Sequence, residues 1–162
     1  MPRRRRTAAR RPRRAAGFTL IEMTVVLVII AIGFTIAVPM IESGMDSREV
    51  RRVARQIAAT MHHCRGEAVA SAAPQELVLD PEHNKIATTD WKRWAPLSDR
   101  AVIERVSGGA ELGDGLVQVL FFPNGSTSGL EVMVASRRDR NRRILITLDP
   151  LVGVVDVKDV SA

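Results

Sequence analysis

Four side chains that could bind a metal ion lie within one short segment of the sequence: His62, His63, Cys64 and Glu67. Imidazole, thiolate and carboxylate groups are ligands of zinc, which draws three or four of them from converging directions. On a helix His63 and Glu67 would share a face, whereas His62 would point about 100° away from His63. No second group of ligands accompanies them in the sequence. We therefore interpret the segment as an ordinary helix surface and predict no metal site and no cofactor.

Two glycine-containing segments have only a superficial likeness to catalytic or phosphate-binding motifs. Gly125–Gly129 has Thr127 at its centre, where a nucleophile elbow requires serine. In Gly108–Gly115, Asp114 follows Gly113 at the position where a P-loop carries lysine. The sequence therefore predicts no catalytic residue, and Gly108–Gly115 is interpreted as a loop.

A cluster of five arginines separates two predicted strands: Arg137, Arg138, Arg140, Arg142 and Arg143. Only Asp139 lies among them to offset their charge. Such a run usually forms a solvated hairpin tip that protects strand ends. The alternative is a binding patch, since guanidinium groups at this density can contact several phosphates.

The elements that would position these residues begin with a long apolar run, Phe18–Met40, which has 23 residues and only one ionisable side chain, Glu22. As a helix it would be about 34 Å long, enough to cross a hydrocarbon core of about 30 Å, so we predict a transmembrane helix. Gly33 and Pro39 weaken helical structure in this run, and we expect a kink around residues 35–39. From the residues alone, Glu22 is an acid tolerated near the membrane interface, where snorkelling reduces its cost.

The two flanks of the apolar run differ in charge. Residues 1–17 contain eight arginines and no acid, so the positive-inside rule places this end in the cytoplasm and exports the C-terminal part. The run is too long for a cleaved secretory signal, and no A-x-A-like site follows it. Without residues 1–17, eight of the 24 basic residues are lost and 16 remain against 18 acidic ones. This net charge near −2 argues against a general affinity for nucleic acid.

The remainder divides into two predicted parts, residues 41–73 and residues 74–162. In the first, apolar residues recur at three- and four-residue spacings, which predicts an amphipathic helix that Pro74 ends; Asp46 or Ser47 could cap its start. The second contains short apolar runs between turn residues. They predict strands at 76–79, 85–88, 91–94, 101–106, 116–122, 130–135, 144–148 and 152–157. The expected fold is α+β, a long N-terminal helix packed on an antiparallel β domain.

The string G-F-T-L-I-E at residues 17–22, followed by the apolar run, resembles the processing site of type IV pilins and of type II secretion pseudopilins. The resemblance implies that a prepilin peptidase cuts after Gly17 and N-methylates Phe18. It also implies that Glu22 pairs with the N-terminal amine of a neighbouring subunit during assembly. Such a pairing is chemically reasonable, because a buried carboxylate and a buried ammonium are each less costly together than alone.

A second resemblance lies near the C-terminus. Phe121–Gly129 has the pattern F-x-P-x-G-x-x-x-G, and a D-P-x-x-G turn at Asp149–Gly153 precedes the last predicted strand. Together these turns resemble the C-terminal domain of the H-type minor pseudopilins (GspH) and their pilus relatives of the FimT type. Residues 74–115 carry no recognised motif.

The two resemblances imply a minor pseudopilin of the type II secretion system, a structural subunit at or near the tip of the periplasmic pseudopilus. The implied partners are the other minor pseudopilins, the major pseudopilin, the prepilin peptidase and the inner membrane, with no small-molecule substrate. The chain would cross the inner membrane once, with its C-terminal domain in the periplasm. A FimT-like minor pilin, some of which bind DNA during uptake, is an alternative. A membrane-anchored enzyme or sensor is another, for which the sequence offers no site.

Overall fold

The structure, a computed structural model, describes residues 17–89 and 94–161, except for the side chains of residues 36–44. Residues 1–16 of the predicted leader and residues 90–93, which include the first three residues of the strand predicted at 91–94, lie outside the described residues. Contacts within the chain divide it into two compact units, Met1–Pro39 and Met40–Ala162.

One long α-helix, α1, runs from Leu20 to Ser71. At its start the Thr19 hydroxyl accepts a hydrogen bond from the backbone amide of Glu22 at 3.2 Å, which satisfies one of the donors left free at a helix N-terminus. At its end Ala72 takes a φ of +52°, a left-handed conformation that terminates the helix two residues before Pro74. The prediction of a helix that ends before Pro74 is therefore confirmed.

Two expectations about α1 have different outcomes. The helix continues through Asp46 and Ser47, so the suggestion that one of them caps a helix start is wrong, whereas the expectation of one long N-terminal helix is confirmed. Residues 35–39 are helical as well. The kink expected at Gly33 and Pro39 depends on residues whose side chains are not described, and it stays a prediction.

The first unit presents its apolar side chains on every side of the helix. Ile29 is 63% exposed and Phe34 is 65% exposed, and the large apolar residues between Leu20 and Phe34 are exposed throughout. In the described part of the chain, no helix has the length and apolar character needed to cross a membrane.

Among the described residues, nine strands follow α1: β1 Gln75–Asp80, β2 Lys85–Thr88, β3 Trp94–Pro96, β4 Ala101–Gly108, β5 Ala110–Gly113, β6 Leu116–Phe121, β7 Leu130–Ser136, β8 Arg143–Leu148 and β9 Val155–Asp159. They form a five-stranded sheet of order β3-β2-β1-β6-β5 and a four-stranded sheet of order β4-β7-β8-β9. All recorded pairings are antiparallel, as predicted. The last strand begins three residues later than expected, because Asp149–Gly153 forms a turn.

The interpretation of Gly108–Gly115 as a loop is wrong. β5 occupies the middle of this segment and pairs with β6. Gly108 and Gly109 have positive φ values of +82° and +72°, and they form the tight turn by which the chain leaves the four-stranded sheet for the five-stranded one. A Cβ atom at Gly109 would lie 2.7 Å from the carbonyl oxygen of Gln118, so this crossing requires glycine.

The core of the second unit lies where one face of α1 meets the inner faces of both sheets. Val53, Ile57 and Met61 of α1 are fully buried. They belong to one apolar cluster with alternate residues of the strands, among them Leu77, Leu79, Val119, Phe121, Val132, Ile146 and Leu148. The period-two burial of β6 and β8 follows from this packing, since each strand turns every second side chain inward.

Candidate functional site

The predicted processing site precedes the helix. Gly17, Phe18 and Thr19 have no regular secondary structure, and Phe18 is 76% exposed. A Cβ atom at Gly17 would meet nothing within 4 Å, so the fold itself does not require glycine there. The peptide bond between Gly17 and Phe18 is exposed and lies in a non-helical segment. A peptidase can bind such a backbone in its active site.

Glu22 is the third residue of α1, within its first turn. Thr19 and Glu22 form the T-x-x-E pattern of a capping box, of which the bond from the Glu22 amide to the Thr19 hydroxyl is present. A carboxylate at this position is favoured by the partial positive charge of the helix N-terminus. The sequence interpretation missed this local role, although the T-x-x-E spacing signals it. The side chain itself is exposed, so it is free to meet a second charge.

The two turns that carry the GspH-like pattern meet at one side chain of the helix, Arg65. Its Nε donates a hydrogen bond to the carbonyl oxygen of Gly125 at 3.1 Å. At Gly153, where φ is +61°, a Cβ atom would overlap that carbonyl and come within 2.6 Å of the Arg65 Nε. Glycine is thus favoured at Gly125 by its positive φ of +83°, and at Gly153 both by its positive φ and by the close approach of the Gly125 carbonyl.

Direct hydrogen bonds also join the two turns. The amide of Thr127 donates to the carbonyl of Pro150 at 2.9 Å, and the Thr127 hydroxyl donates to the carbonyl of Asp149 at 3.1 Å. The Asp149 carboxylate accepts from the amides of Leu151 and Val152 at 2.8 and 2.9 Å. Thr127 is therefore a buried structural residue, which accounts for threonine where a nucleophile elbow would have serine.

The arginine cluster at 137–143 lies at the connection between β7 and β8, and its charge is offset more fully than the sequence suggested. Arg143 pairs with Glu104 of β4 at 2.9 Å, and Arg140 lies 3.6 Å from the same carboxylate. Arg142 pairs with Asp139 at 3.1 Å and also contacts the hydroxyl of Ser47 on α1. The prediction that only Asp139 offsets these charges is wrong, because β4 brings Glu104 across the sheet.

Arg137 and Arg138, the other members of the cluster, are exposed. The amide of Arg137 donates to the carbonyl of Arg100 at 2.9 Å, which fixes the backbone at the start of the connection. The Ser136 hydroxyl accepts from the amide of Arg138 at 3.3 Å. The binding-patch hypothesis for the cluster stays a prediction.

The four potential metal ligands on α1 do not converge. His62, His63 and Glu67 are exposed, while Cys64 is buried against β1. Burial raises the pKa of the Cys64 thiol to about 11, so at neutral pH the thiol is protonated and is not a nucleophile. Across residues 17–89 and 94–161, no group of three or more histidine, cysteine or acidic side chains is arranged to hold a metal ion.

Two stretches of the chain match models of known protein families. Residues 12–38 match the model described as the prokaryotic N-terminal methylation motif. Residues 53–151 match the model described as type II transport protein GspH, a span that includes Arg65 and all but the last two residues of the D-P-x-x-G turn. The chain belongs to the GspH family.

This GspH-family chain is similar in sequence to a curated protein over part of the length of both. It is 31% identical over 73 residues to the type II secretion system protein H of Xanthomonas campestris pv. campestris. The aligned region covers 45% of this chain and 43% of that protein.

Solved structures share the fold of the GspH-family chain at low sequence identity. The minor pseudopilin EpsH from the type 2 secretion system of Vibrio cholerae matches with a TM-score of 0.55 at 11% identity, over 68% of this chain and 97% of EpsH. Two crystal structures of the type IV minor pilin FimU from Pseudomonas aeruginosa match at 10% identity with TM-scores of 0.52 and 0.55. They cover 69% and 71% of this chain, and 94% and 92% of FimU. The fold is that of pseudopilins and pilins.

Proposed function

We propose that this GspH-family chain is a minor pseudopilin of the type II secretion system, a structural subunit at or near the tip of the periplasmic pseudopilus that supports protein export. The observation that carries the proposal is the order of two family matches in one chain, a methylation motif at residues 12–38 followed by a GspH domain at residues 53–151. The proposed role is structural and not enzymatic.

The proposed topology follows from the same N-terminal segment. Residues 1–17 are the leader, residues 18–40 anchor the chain in the inner membrane, and the domain after them lies in the periplasm. A prepilin peptidase removes the leader after Gly17 and methylates Phe18. The accessible, non-helical backbone at this junction supports the proposal. The other partners are the major pseudopilin and the remaining minor pseudopilins.

Glu22 is proposed to direct assembly. After removal of residues 1–17 the new N-terminal ammonium of one subunit and the carboxylate of Glu22 in its neighbour would each be costly alone in an apolar environment. The exposed position of Glu22 in the first helical turn supports an intermolecular partner. The local stabilisation from the helix N-terminus is available to an unassembled subunit as well, so it does not replace the pairing.

The experiment that tests the proposal measures incorporation into pseudopili sheared from cells and detected by blotting. Glu22→Ala should enter the membrane fraction at least as well as the native chain, because it removes a polar group from the apolar run. It should be depleted from the sheared fraction, because the ammonium of the neighbouring subunit loses its counter-charge. Glu22→Asp, which keeps the charge, is the matched control and should be depleted less. Normal incorporation of Glu22→Ala would contradict the assembly role.

The second candidate is a FimT-like minor pilin of a type IV pilus that binds DNA. The observation that favours it is the match to FimU, whose TM-score of 0.55 equals that of EpsH. The arginine cluster at 137–143 would supply the phosphate contacts. Its pairing with Glu104 and Asp139 argues against this, because bound phosphates would have to displace those carboxylates.

Titration of the chain in neutral detergent against duplex and single-stranded DNA separates the two candidates. The pseudopilin proposal expects no more than weak, nonspecific binding at physiological salt. Each phosphate contact would change the slope of log K against log salt by about −0.7 to −0.9. Salt-sensitive micromolar binding that the triple variant Arg138→Ala/Arg140→Ala/Arg142→Ala abolishes would favour the pilin.

A further inference from the structure

A cleft of about 520 Å³ lies between α1 and the last strand, within the second unit of the chain. Arg48, Arg51 and Arg55 of α1 line one side. Ile144 of β8 with Val157 and Asp159 of β9 line the other side. The cleft therefore combines a row of cations with an apolar floor, and it is separate from the turns that meet at Arg65.

The cations of the cleft exceed its acids. In the described part of the chain Arg48 has no hydrogen-bond or charge partner, and Arg55 binds only the carbonyl of Arg51, at 3.2 Å. Arg51 pairs with Asp159 at 3.1 Å, with side chains 63% and 46% exposed. The three arginines are spaced three and four residues apart, so they share one side of the helix over about 10 Å. Two of these three guanidinium groups therefore have no carboxylate partner among the described side chains.

The other side of the cleft is an open sheet edge. β9 ends the four-stranded sheet, and among the described strands it pairs with β8 alone. Val157 lies opposite Ile146 and on the same face, yet it is 42% exposed where Ile146 is fully buried, because α1 does not cover β9. This apolar side chain beside an unpaired edge is where an added strand would find a contact.

The direction of the backbone amides of β9 identifies the groups available at that edge. The amide of Val160 donates to the carbonyl of Arg143 at 3.0 Å, so it points towards β8. Amides alternate in direction along an antiparallel strand, and those of Val157 and Asp159 therefore point to the free edge. An incoming strand would find the backbone groups of these two residues next to the arginine row, where the Asp156 carboxylate, which accepts from the Val157 amide, would have to give way.

We propose that this cleft binds an extended acidic segment of a partner protein, which adds to the free edge of β9 and turns alternate carboxylates towards Arg48, Arg51 and Arg55. Alternate side chains of a strand are about 6.8 Å apart, so two carboxylates fit within the arginine row. The chain's own residues 1–17 are excluded as occupant, because they carry eight arginines and no acid. A phosphate-bearing surface would pair with the arginines but would use neither Val157 nor the strand edge. This inference does not depend on the pseudopilin proposal.

The test measures binding of a fluorescent peptide, acetyl-Thr-Asp-Thr-Asp-Thr-Val-Thr-amide, to the full chain in neutral detergent by fluorescence anisotropy. One face of this peptide as a strand carries two aspartates for the arginines and a valine for Val157. Arg48→Ala/Arg55→Ala should weaken binding by about fivefold to tenfold, as expected for the loss of two exposed ion pairs. Arg105→Ala removes an exposed arginine of β4 outside the cleft and should leave binding unchanged. Replacement of aspartate by lysine in the peptide should abolish binding.

A second peptide separates strand addition from simple charge attraction. N-methylation of alternate residues along one edge of the acidic peptide keeps its charge but removes the amides that would pair with β9, and methylation of the opposite edge is the matched control. The proposal expects at least a tenfold difference between them. Equal binding of the two methylated peptides, or no binding of the unmodified peptide, would overturn the proposal. It would also be overturned if Arg48→Ala/Arg55→Ala kept its affinity for the peptide but lost affinity for phosphatidylglycerol vesicles or duplex DNA.

Discussion

The two halves of α1 contain similar apolar residues in different surroundings. Ile29, in the first unit, is 63% exposed, whereas Ile57, in the second unit, is fully buried. The first half is apolar on all sides, while the second half has an apolar face against the sheets and a polar face that includes Arg48, Arg51 and Arg55. A one-sided apolar pattern thus serves the fold of the chain itself, and an all-round apolar pattern leaves a surface for contacts outside the chain.

The largest expected effect on stability comes from truncating an isoleucine to alanine, when the two halves of α1 are compared. Ile57→Ala should lower the free energy of unfolding of the C-terminal domain by about 2–5 kcal/mol, because it leaves a cavity in the core. Ile29→Ala should leave that free energy unchanged, since its side chain lies outside the core cluster. Denaturant titration of the full chain in neutral detergent, followed by tryptophan fluorescence, measures both. Equal losses in the two variants would contradict the distinction between the halves.

An intermediate effect is expected from glycines in the two units. Gly153→Ala should destabilise the domain by about 1–3 kcal/mol, because its φ of +61° is unfavourable for alanine and the new Cβ would overlap the Gly125 carbonyl. Gly33→Ala should not destabilise it, because a Cβ there meets nothing within 4 Å and alanine favours a helix.

Gly113→Ala separates the two causes at Gly153. Gly113 has a φ of +92° but no neighbour within 4 Å of a Cβ, so alanine there would cause backbone strain without overlap. It should cost less stability than Gly153→Ala when both are measured by denaturant titration. If the two costs are equal, the overlap with the Gly125 carbonyl contributes nothing to the requirement for glycine at position 153.

The smallest expected effect is a pH dependence confined to the second unit. Burial raises the pKa of the Asp80 carboxyl, but hydrogen bonds from the amide and ring of His83 and a contact with Lys85 outweigh burial and leave the pKa below its ordinary value. The unfolded chain therefore binds this proton more readily than the folded one. The stabilisation is complete above the unfolded pKa of about 3.9 and is lost as the pH falls through the folded value.

Asp80→Asn should therefore make the fall of the unfolding free energy below about pH 4 shallower without abolishing it. Glu49, Asp156 and Asp159 also have lowered pKa values and keep part of the dependence. Asp114→Asn, at an exposed turn, is the control and should leave the acid limb unchanged. Denaturant titrations at several pH values measure the unfolding free energy of each variant. If its decrease at acid pH is the same in Asp80→Asn as in the native chain, the His83 and Lys85 contacts do not stabilise the fold.

The sequence predicts the parts of the fold whose apolar spacing is regular. The strand boundaries of β2 agree with the prediction, and those of β6, β7 and β8 agree within one residue, because alternating burial on a sheet produces alternating residue types. β5 was missed because its four residues are all exposed and contain no such alternation. The start of β9 was misplaced because Leu151 and Val152 are apolar but belong to an exposed turn.

Only those features of the candidate site that are encoded by residues adjacent in the sequence could be recognised from the sequence. The proposed processing junction and the proposed role of Glu22 depend on six consecutive residues, and the T-x-x-E cap that the structure shows lies there too. Arg65 and Glu104 were missed because their partners are 60 and 39 residues away in the chain, and a single charged residue does not indicate which distant group lies opposite it.

The measurement that tests the central claim most directly is the intact mass of the chain extracted from the membranes of its native host. The account predicts a chain that begins at Phe18, lacks residues 1–17 and carries one additional methyl group. Gly17→Leu should retain the leader, because a bulky side chain would crowd the bond to be cut. Retention of the leader in the native chain, or a cut beyond Met40, would contradict the assignment of this chain as a processed, membrane-anchored pseudopilin.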